Sequence, residues 1–344
     1  MTKDSDFKDV IRARMAVTGE RYTQALTHLL AEDSTARPTP RRIIGIERRY
    51  TVTAELRGHR RMQTDEAMRY VFRRVVSWGR STNVYLENGA RLYVLPEGTT
   101  AEYATPECDS ARTATIHALA GDRRFDELVA AASSRLVDEG IDGEVSWLAD
   151  TGPLGGQHES YTVGSVLDPR LLVAVLVPFL VTRQVYAGAR GEIEVLAGRR
   201  AVLMPRADFV WHGIGGAGAG VMVDPSAAAH GDEQIAHRLH VAVGDVTHRP
   251  AVTFLTVGST ALLLRLLEEA PQEAPPSLAL ENPARAVREV SHDPSMRCEV
   301  RLADGRLAKP LRIQRVIFES VAAFAHRHGA SNEERRVLAM WGHA

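Results

Sequence analysis

The sequence predicts an α+β protein with a mainly antiparallel sheet. Glu87, Asn88 and Gly89 separate two short alternating segments, 83–85 and 91–95, which is a typical β-hairpin signal. Helical and strand-like segments alternate irregularly along the chain. Because the regular strand–helix rhythm of a doubly wound parallel sheet is not found, pairing of strands through hairpins is the better interpretation.

The first 40 residues predict a small N-terminal unit. Apolar residues recur at helical spacing from Phe7 to Met15 and again from Tyr22 to Leu30. Residues 1–36 are therefore expected to form a helical hairpin, and the proline-containing residues 37–40 a linker. Because so small a unit can bury only a small hydrophobic core, it is expected to pack against the rest of its own chain or against a partner protein.

Residues 41–344 are expected to form the main domain. A strand is predicted over 43–52, and a helix follows with Thr64 as its N-cap and an apolar stripe that stops near Gly79. The remaining elements, in chain order, are a helix from Asp168, a strand over 241–243, a helix over 258–268 and a strand over 298–302.

Composition excludes several functional classes. The chain has 344 residues, a formal net charge of −1 and 44% hydrophobic residues, which is typical of a globular protein. A neutral chain lacks the long-range attraction of proteins that bind nucleic acids or anionic membranes, so neither is expected as a partner. The longest apolar stretch, 171–182, is too short to span a bilayer.

Lysine and cysteine usage narrow the chemistry further. Lys3, Lys8 and Lys309 are the only lysines, and none follows a glycine, so the chain has no G-K-[ST] phosphate loop. Arginine or a metal ion must therefore handle any phosphate. Cys108 and Cys298 form no C-x-x-C pair and are expected to be reduced thiols in a cytoplasmic protein.

Two other patterns are weak. Residues 213–218 match G-x-G-x-x-G, but Asp224 and Pro225 follow too closely for the long helix that a dinucleotide site needs, so a glycine-rich loop is expected. His158, His240 and His292 are isolated and do not form an H-E-x-x-H pattern. They are interpreted as structural histidines.

The segment from Asn88 to Asp109 is the most informative. Strand alternation places Arg91, Tyr93 and Leu95 on one face of the sheet, near Glu102, and Glu47 on the earlier strand offers a second carboxylate. Such a set suits Mg²⁺ and nucleotide phosphates. The alternative, favoured by spacing alone, is a solvated sheet face with a surface salt bridge.

Several long segments between Arg41 and Gly342 match the sequence pattern of one family in the same order. They are residues 42–47, 71–81, 88–93, 102–108, 178–184, 238–245 and 282–293. Through these segments the chain resembles the Pup ligase and Pup deamidase (depupylase) enzymes, which attach or remove the prokaryotic ubiquitin-like protein Pup.

The resemblance implies a glutamine-synthetase-like carboxylate–amine ligase fold whose curved antiparallel sheet holds Mg²⁺ and ATP. In the ligases, ATP phosphorylates the C-terminal glutamate of Pup, and a substrate lysine then attacks the acyl phosphate. By resemblance, Glu47, Tyr93 and Glu102 occupy metal-binding positions, and Arg91 and Thr105 occupy nucleotide-binding positions.

Three departures from the family pattern bear on activity. Leu95 occupies the position of the family's catalytic aspartate, and Glu97 is a weak substitute. Arg49 occupies the position of the second acidic residue on the first strand. Residues 213–229 are rich in glycine and alanine where the family pattern has an arginine- and acid-rich stretch. The sequence also ends near Trp341, where longer members continue into a C-terminal domain.

These departures leave two hypotheses open. In the first, the Mg-ATP site is partly degenerate, catalysis is impaired, and the protein acts by binding Pup, nucleotide or a partner protein, including through residues 1–36. In the second, the chain is an active, divergent ATP-dependent carboxylate–amine ligase or amidase acting on Pup or another glutamate-ended substrate. Ligation and deamidation are not distinguished by the sequence.

Overall fold

A computed structural model describes residues 42–58, 62–73, 83–96, 98–150, 152, 155–163, 167–196, 198–216, 220–227 and 237–344. The hairpin expected over 1–36, the linker 37–40 and Glu97 lie outside the described residues. The end of the helix expected near Gly79 also lies outside them.

The strands form one large sheet and two small hairpins. The strands are β1 (Ile44–Leu56), β2 (Asn83–Tyr85), β3 (Arg91–Val94), β4 (Thr100–Ala104), β5 (Gly143–Ala149), β6 (Gln157–Val163), β7 (Gly191–Val195), β8 (Gly198–Val202), β9 (His212–Ile214), β10 (Val221–Ala227), β11 (His237–Gly244), β12 (Val300–Arg301) and β13 (Leu307–Ala308). The large sheet has the order β2-β3-β4-β1-β6-β11-β10-β9, with β5 also paired to β1. Its strands are antiparallel except for the pair β9 and β10, which confirms the predicted fold class.

The helices are α1 (Thr64–Phe72), α2 (Ala111–Asp138), α3 (Pro169–Ala187), α4 (Pro250–Glu269), α5 (Pro283–Ser291), α6 (Pro310–His328) and α7 (Asn332–Trp341). Helix α1 begins one residue earlier than expected: Gln63, not Thr64, is the N-cap, and its backbone N–H donates to Glu66. Asp168 caps α3 by accepting a hydrogen bond from the backbone N–H of Arg170. Strand β10, not a helix, follows the glycine-rich segment, as expected for a loop.

The two faces of the large sheet differ in character. Along β1, alternate residues from Ile44 to Val52 are buried and their neighbours are half-buried, which is the two-residue period of a strand. Helices α2 and α4 pack on the buried face and on each other. One apolar cluster lies around α3, α4 and α6, and another lies beneath β1 with Tyr50, Phe72 and Phe125. The opposite face, which carries Glu47 and Arg49, remains open for polar side chains.

Helices α3 and α4 are long and apolar enough to resemble membrane spans, but 67% and 72% of their apolar windows are buried within the protein. Burial of this extent is typical of core helices, and here it provides the hydrophobic surface that the sheet packs against.

A buried arginine fixes β1 from the core side. Arg48 is fully buried, and its guanidinium donates to Asp122 at 2.6 Å, to Gln157 at 3.1 Å and to the Thr253 hydroxyl at 2.9 Å. Tyr50 also donates to Asp122, at 2.6 Å. These bonds connect β1 to α2, β6 and α4, so they stabilise the strand that carries the open face.

We expect Arg48→Met to destabilise the fold by about 3–5 kcal/mol, because the change removes the buried guanidinium and leaves the Asp122 carboxylate with Tyr50 and the half-exposed His248 as its partners. Urea unfolding measures the effect. The matched control is Arg57→Met, since the Arg57 side chain is 84% exposed and 3.8 Å from Asp142. The control should change stability by less than about 1 kcal/mol. Equal losses in the two variants would contradict a structural role for the buried ion pair.

Candidate functional site

Two rows of polar side chains cross the open face on β3, β4 and β1. In one row, Tyr93, Glu102 and Arg49 lie opposite one another on the three strands. In the next row, Arg91 and Glu47 flank the same β4 residue. Directly paired residues of neighbouring strands point to the same face of a sheet. The structure therefore brings together the four residues that the sequence predicted, Glu47, Arg91, Tyr93 and Glu102.

Glu102 is the centre of the first row. Its carboxylate is fully buried, and both oxygens are hydrogen-bonded: Oε2 accepts from Arg49 Nε at 2.6 Å, and Oε1 accepts from the Tyr93 hydroxyl. Burial, reinforced by the charge of Glu47, raises the pKa of Glu102 to about 7, although Arg49 acts against this rise. Arg49 and Tyr93 therefore use the oxygens that a cation at this position would need.

Arg91 lies at the edge of the same face. Its guanidinium donates to the Asn83 side-chain oxygen at 2.7 and 3.0 Å, and its central carbon lies 4.0 Å from the centroid of the Tyr93 ring. The stacking and the paired hydrogen bonds hold the side chain in one orientation. A planar guanidinium held in this way is suited to bind a phosphate or carboxylate group.

Glu47 does not contact Glu102 directly and instead faces two histidines. It pairs across β1 and β6 with His158, and its Oε2 lies 4.0 Å from His158 Nδ1. His240 on β11 completes the group, since the ligand atoms of the three residues all lie within 4.8 Å of one another. The two imidazole rings have centroids 5.1 Å apart and are nearly perpendicular.

Both histidines are held in the neutral form. Burial lowers the pKa of His158 well below its usual range, and the charges of Arg49 and Arg206 act in the same direction. Burial also lowers the pKa of His240, although the Glu47 carboxylate opposes this effect. Neutral imidazoles keep a nitrogen lone pair available for a ligand.

A buried support lies beneath His158. Arg206 is almost fully buried, donates from Nε to the Ala242 carbonyl at 2.9 Å and lies 3.5 Å from His158 Nε2. The Asp245 carboxylate accepts from the backbone N–H of Arg206 at 3.1 Å. Its Oδ2 has no hydrogen-bond partner among the described residues, and burial raises the pKa of Asp245 to about 7.

The other predicted residues lie beside this face. Thr105 accepts a hydrogen bond at its Oγ1 from the backbone N–H of Ile46 at 3.0 Å, so it adjoins Glu47. Leu95 follows β3, where alternation places it on the face of Tyr93. Glu97 lies outside the described residues. The nucleotide role of Thr105 stays a prediction.

Asp150 brings a carboxylate that the sequence reasoning missed. Its backbone N–H donates to the Arg49 carbonyl at 2.9 Å, and its Oδ2 accepts from the Thr100 hydroxyl at 3.3 Å. Thr100 is the cross-strand neighbour of Leu95, whose N–H donates to the Thr100 carbonyl at 2.8 Å. Asp150 therefore approaches the position where the family pattern has its aspartate.

The residues fit a cation in one part of the face and not in the other. Around Glu102 the oxygens are engaged by Arg49 and Tyr93, so a cation there would have to displace Arg49. Around Glu47 the ligand atoms of His158 and His240 lie within 4.8 Å of its carboxylate and of each other. The metal roles of Tyr93 and Glu102 stay predictions.

His158 and His240 are not isolated in the structure, because their ligand atoms lie within 4.8 Å of each other and of Glu47. The Nδ1 of His158 is buried and has no hydrogen-bond partner among the described residues. The interpretation of these two residues as structural histidines stays a prediction. His292 does match the interpretation, since it lies 2.8 Å from the Asp208 carboxylate. The two-residue period of a strand could have indicated part of this group, because it places His158 and Ser160 on the same face of β6. His240 on β11 pairs with Ser160 and therefore points to that face as well.

The fold and the residues of the open face together define a ligase-like α+β protein. Its mainly antiparallel sheet has one open face lined by arginines, carboxylates and imidazoles. The chain belongs to the Pup-ligase family, because the family model described as Pup-ligase protein matches residues 42–344. This confirms the resemblance found in the sequence.

Individual relatives agree with this assignment. A Pup–protein ligase of Acidimicrobium ferrooxidans is 43% identical over 310 residues, which is 88% of this chain and 68% of the relative. A crystal structure of Pup in complex with its ligase PafA matches with a TM-score of 0.77 and 31% identity over 88% of this chain. PafA in complex with ADP matches with a TM-score of 0.69 and 32% identity over 81% of this chain. The chain spans 62% and 63% of the lengths of these two solved chains.

We expect the stability difference between Asp245→Asn and the unchanged chain to depend on pH. The folded carboxyl holds its proton up to about pH 7, whereas an unfolded aspartate releases it near pH 4, so its contribution to stability is lost as pH rises between these values. The asparagine variant cannot lose that contribution. Urea unfolding should therefore show the variant gaining roughly 2–3 kcal/mol relative to the unchanged chain between pH 5 and pH 8. A difference that is the same at both pH values would show that Asp245 is ionised throughout.

Proposed function

We propose that this chain is an ATP-dependent ligase that joins the C-terminal glutamate of Pup, or of another glutamate-ended protein, to an amine. The observation that carries the proposal is the convergence of Arg91, Tyr93, Glu102 and Glu47 on one open face in a member of the Pup-ligase family. The identity of 43% with a Pup–protein ligase and the likeness to PafA bound to Pup and to ADP support it.

The reaction implied by the family has two transfers. A carboxylate oxygen of the glutamate attacks the terminal phosphorus of ATP, the bond to the bridging oxygen breaks, and ADP leaves. The amine nitrogen then attacks the acyl carbon, the bond from that carbon to the phosphate oxygen breaks, and the amine loses a proton. Arg91 and Arg49 offer the positive charge that the phosphates need. Magnesium, where bound, neutralises phosphate charge.

Asp150 is the proposed acceptor of the amine proton. Leu95 cannot take a proton, whereas the Asp150 carboxylate is bound to Thr100, the cross-strand neighbour of Leu95. A carboxylate on the open face beside Arg49 is in position to act as a general base. Glu97, the substitute suggested by sequence, is the competing assignment.

A second candidate is a protein that binds Pup and nucleotide without conjugation. Two observations favour it: Leu95 stands where the family has an aspartate, and Arg49 is ion-paired with Glu102 at 2.6 Å. An additional partner protein bound through residues 1–36 remains part of this candidate. Under either candidate we place the protein in the cytoplasm, in agreement with the free thiols of Cys108 and Cys298.

The decisive experiment supplies ATP, Mg²⁺ and a glutamate-ended Pup, and measures ADP release together with covalent conjugate. We expect turnover by the unchanged chain and a loss of about 10²- to 10⁴-fold for Asp150→Asn, which keeps the shape of the side chain but removes the base. ADP binding by calorimetry should be unchanged in this variant.

Control variants separate the alternatives. Asp142→Asn replaces an exposed aspartate whose side chain is 69% exposed, and it should keep full activity. If Glu97→Ala abolishes turnover and Asp150→Asn does not, the base is Glu97. Nucleotide binding without any turnover by the unchanged chain would establish the binding-only candidate instead.

A further inference from the structure

A groove of about 420 Å³ lies between the β12–β13 hairpin, the first turns of α6 and residues 276–278. It shares no lining residue with the open face of the large sheet. Its inner wall is apolar, and Leu278, Leu302 and Ile313 there are almost fully buried. Leu307 also lines the groove and is 54% exposed. Apolar surface therefore remains uncovered within the part of the chain that the structure describes.

The rim of the groove is cationic. Arg306, Lys309 and Arg312 line it together with one carboxylate, Glu299. Arg306 pairs with Asp304, with 2.7 Å between the charged atoms, whereas Lys309 and Arg312 form no ion pair with any described residue. The N-terminal end of α6 adds the positive end of its helix dipole. An apolar groove with such a rim suits an amphipathic segment that carries negative charge at one end.

One segment of this chain has the matching pattern. Its apolar residues recur at the spacing of one helix face and are Tyr22, Ala25, Leu26, Leu29 and Leu30. Glu32 and Asp33 follow at the C-terminal end of this predicted helix. Two carboxylates there repel the negative end of the helix dipole, so the helix is stabilised by cations placed beside them. The other apolar stretch, 7–15, carries Arg12 and Arg14 instead, which the same rim would repel.

The connection to the described chain is long enough for this segment to reach the groove. Arg42 is ion-paired with Glu268 near the end of α4, which fixes the start of the described chain. Residues 34–41 extend to at most about 28 Å. The chain from Glu268 to the groove residue Pro276 is no longer than this and is partly helical, so the groove lies within reach.

A second groove, beside Trp147, lacks the excess of positive charge. Arg123 and His248 line it together with Asp122 and Asp126. His248 Nδ1 also lies 3.0 Å from the Asp122 carboxylate. Charge complementarity therefore favours the groove at α6 as the binding surface for the acidic segment.

We propose that residues 22–33 pack as a helix into the groove of their own chain, with the leucines on its apolar wall and Glu32 and Asp33 beside Lys309 and Arg312. This packing covers the exposed apolar surface and neutralises the two unpaired cations of the rim. It assigns the predicted N-terminal hairpin to its own chain instead of to a partner protein. The inference goes beyond the proposed function, because the groove contains no residue of the candidate site.

Disulfide cross-linking of the full-length chain is the first test. A Cys298→Ala background removes the thiol beside the groove residue Glu299. Leu29→Cys combined with Leu307→Cys should form an intrachain disulfide under mild oxidation, since packing holds the two thiols at high effective concentration. The control combines Leu29→Cys with Leu196→Cys, because Leu196 is fully exposed beside the separate β7–β8 hairpin. The yield for the groove pair should be at least about 10-fold higher than for the control pair.

Two outcomes would overturn the proposal. Equal yields for the two cysteine pairs would show that the segment does not occupy the groove. A disulfide-linked dimer formed by the groove pair would show that the segment of a second copy occupies it, and would reject the intrachain assignment.

Charge reversal tests the rim without changing the apolar contacts. Asp33→Lys should speed hydrogen–deuterium exchange of residues 305–312 in the full-length chain about 5-fold, because it replaces an ion pair by a repulsion. Adding Arg312→Glu should restore slow exchange, whereas adding Arg200→Glu, at an exposed position of β8, should not. Thermal unfolding checks that each variant is folded. If Arg312→Glu restores no more protection than Arg200→Glu, the acidic end of the segment does not lie at this rim and the proposal is rejected.

Discussion

Strand β1 is the constraint on which the rest of the structure depends. It pairs with β4 along one edge and with β5 and β6 along the other, so every strand that carries a site residue is aligned to it directly or through one neighbour. Its alternation sends Arg48 into the core and Glu47 and Arg49 to the open face. A shift of one residue would exchange these faces and bury two uncompensated charges. The hydrogen bonds of Arg48 to Asp122 and Gln157 oppose that shift, so a core network fixes the chemistry of the opposite face.

Arg49 divides the open face into two electrostatic regions. Arg49 and Arg91 both lie near Glu102, so this region holds two guanidinium groups around one carboxylate and suits anionic groups such as phosphates. The remaining carboxylate, Glu47, lies with His158 and His240 in a region that suits a cation. In the pattern implied by the resemblance, two acidic residues on β1 would serve one continuous cation-binding area. By that resemblance, Arg49 stands at the position of one of these acidic residues.

Sequence reasoning recovered the scaffold better than the site. The hairpin around Asn88, the β1 strand and the helix from Asp168 could be predicted because turn residues, alternation and capping are local properties. The convergence of Glu47 with Glu102 was accessible through alternation and the resemblance. The contributions of Asp150 and His240 were not, because they depend on which distant strands pair with β1 and β6. The pairing of distant strands is set by tertiary packing, and it cannot be predicted from the spacing of residues along the sequence.

The buried side of the sheet and its open face differ in how much substitution they accept. Next to the buried Arg206, one glycine position accepts no other residue without strain. Gly156 has a φ of 95°, and a Cβ there would lie 2.5 Å from the Gly244 carbonyl oxygen and 2.5 Å from the Arg206 side chain. The absence of a side chain at Gly156 therefore lets the β5–β6 connection pack directly against the end of β11. On the open face, by contrast, Leu95 and Arg49 stand where the resemblance expects acidic residues, and the strands around them keep their regular pairing. Likeness of fold therefore fixes where the side chains of this face meet, and their chemical identity decides which reaction and which ion the face can support.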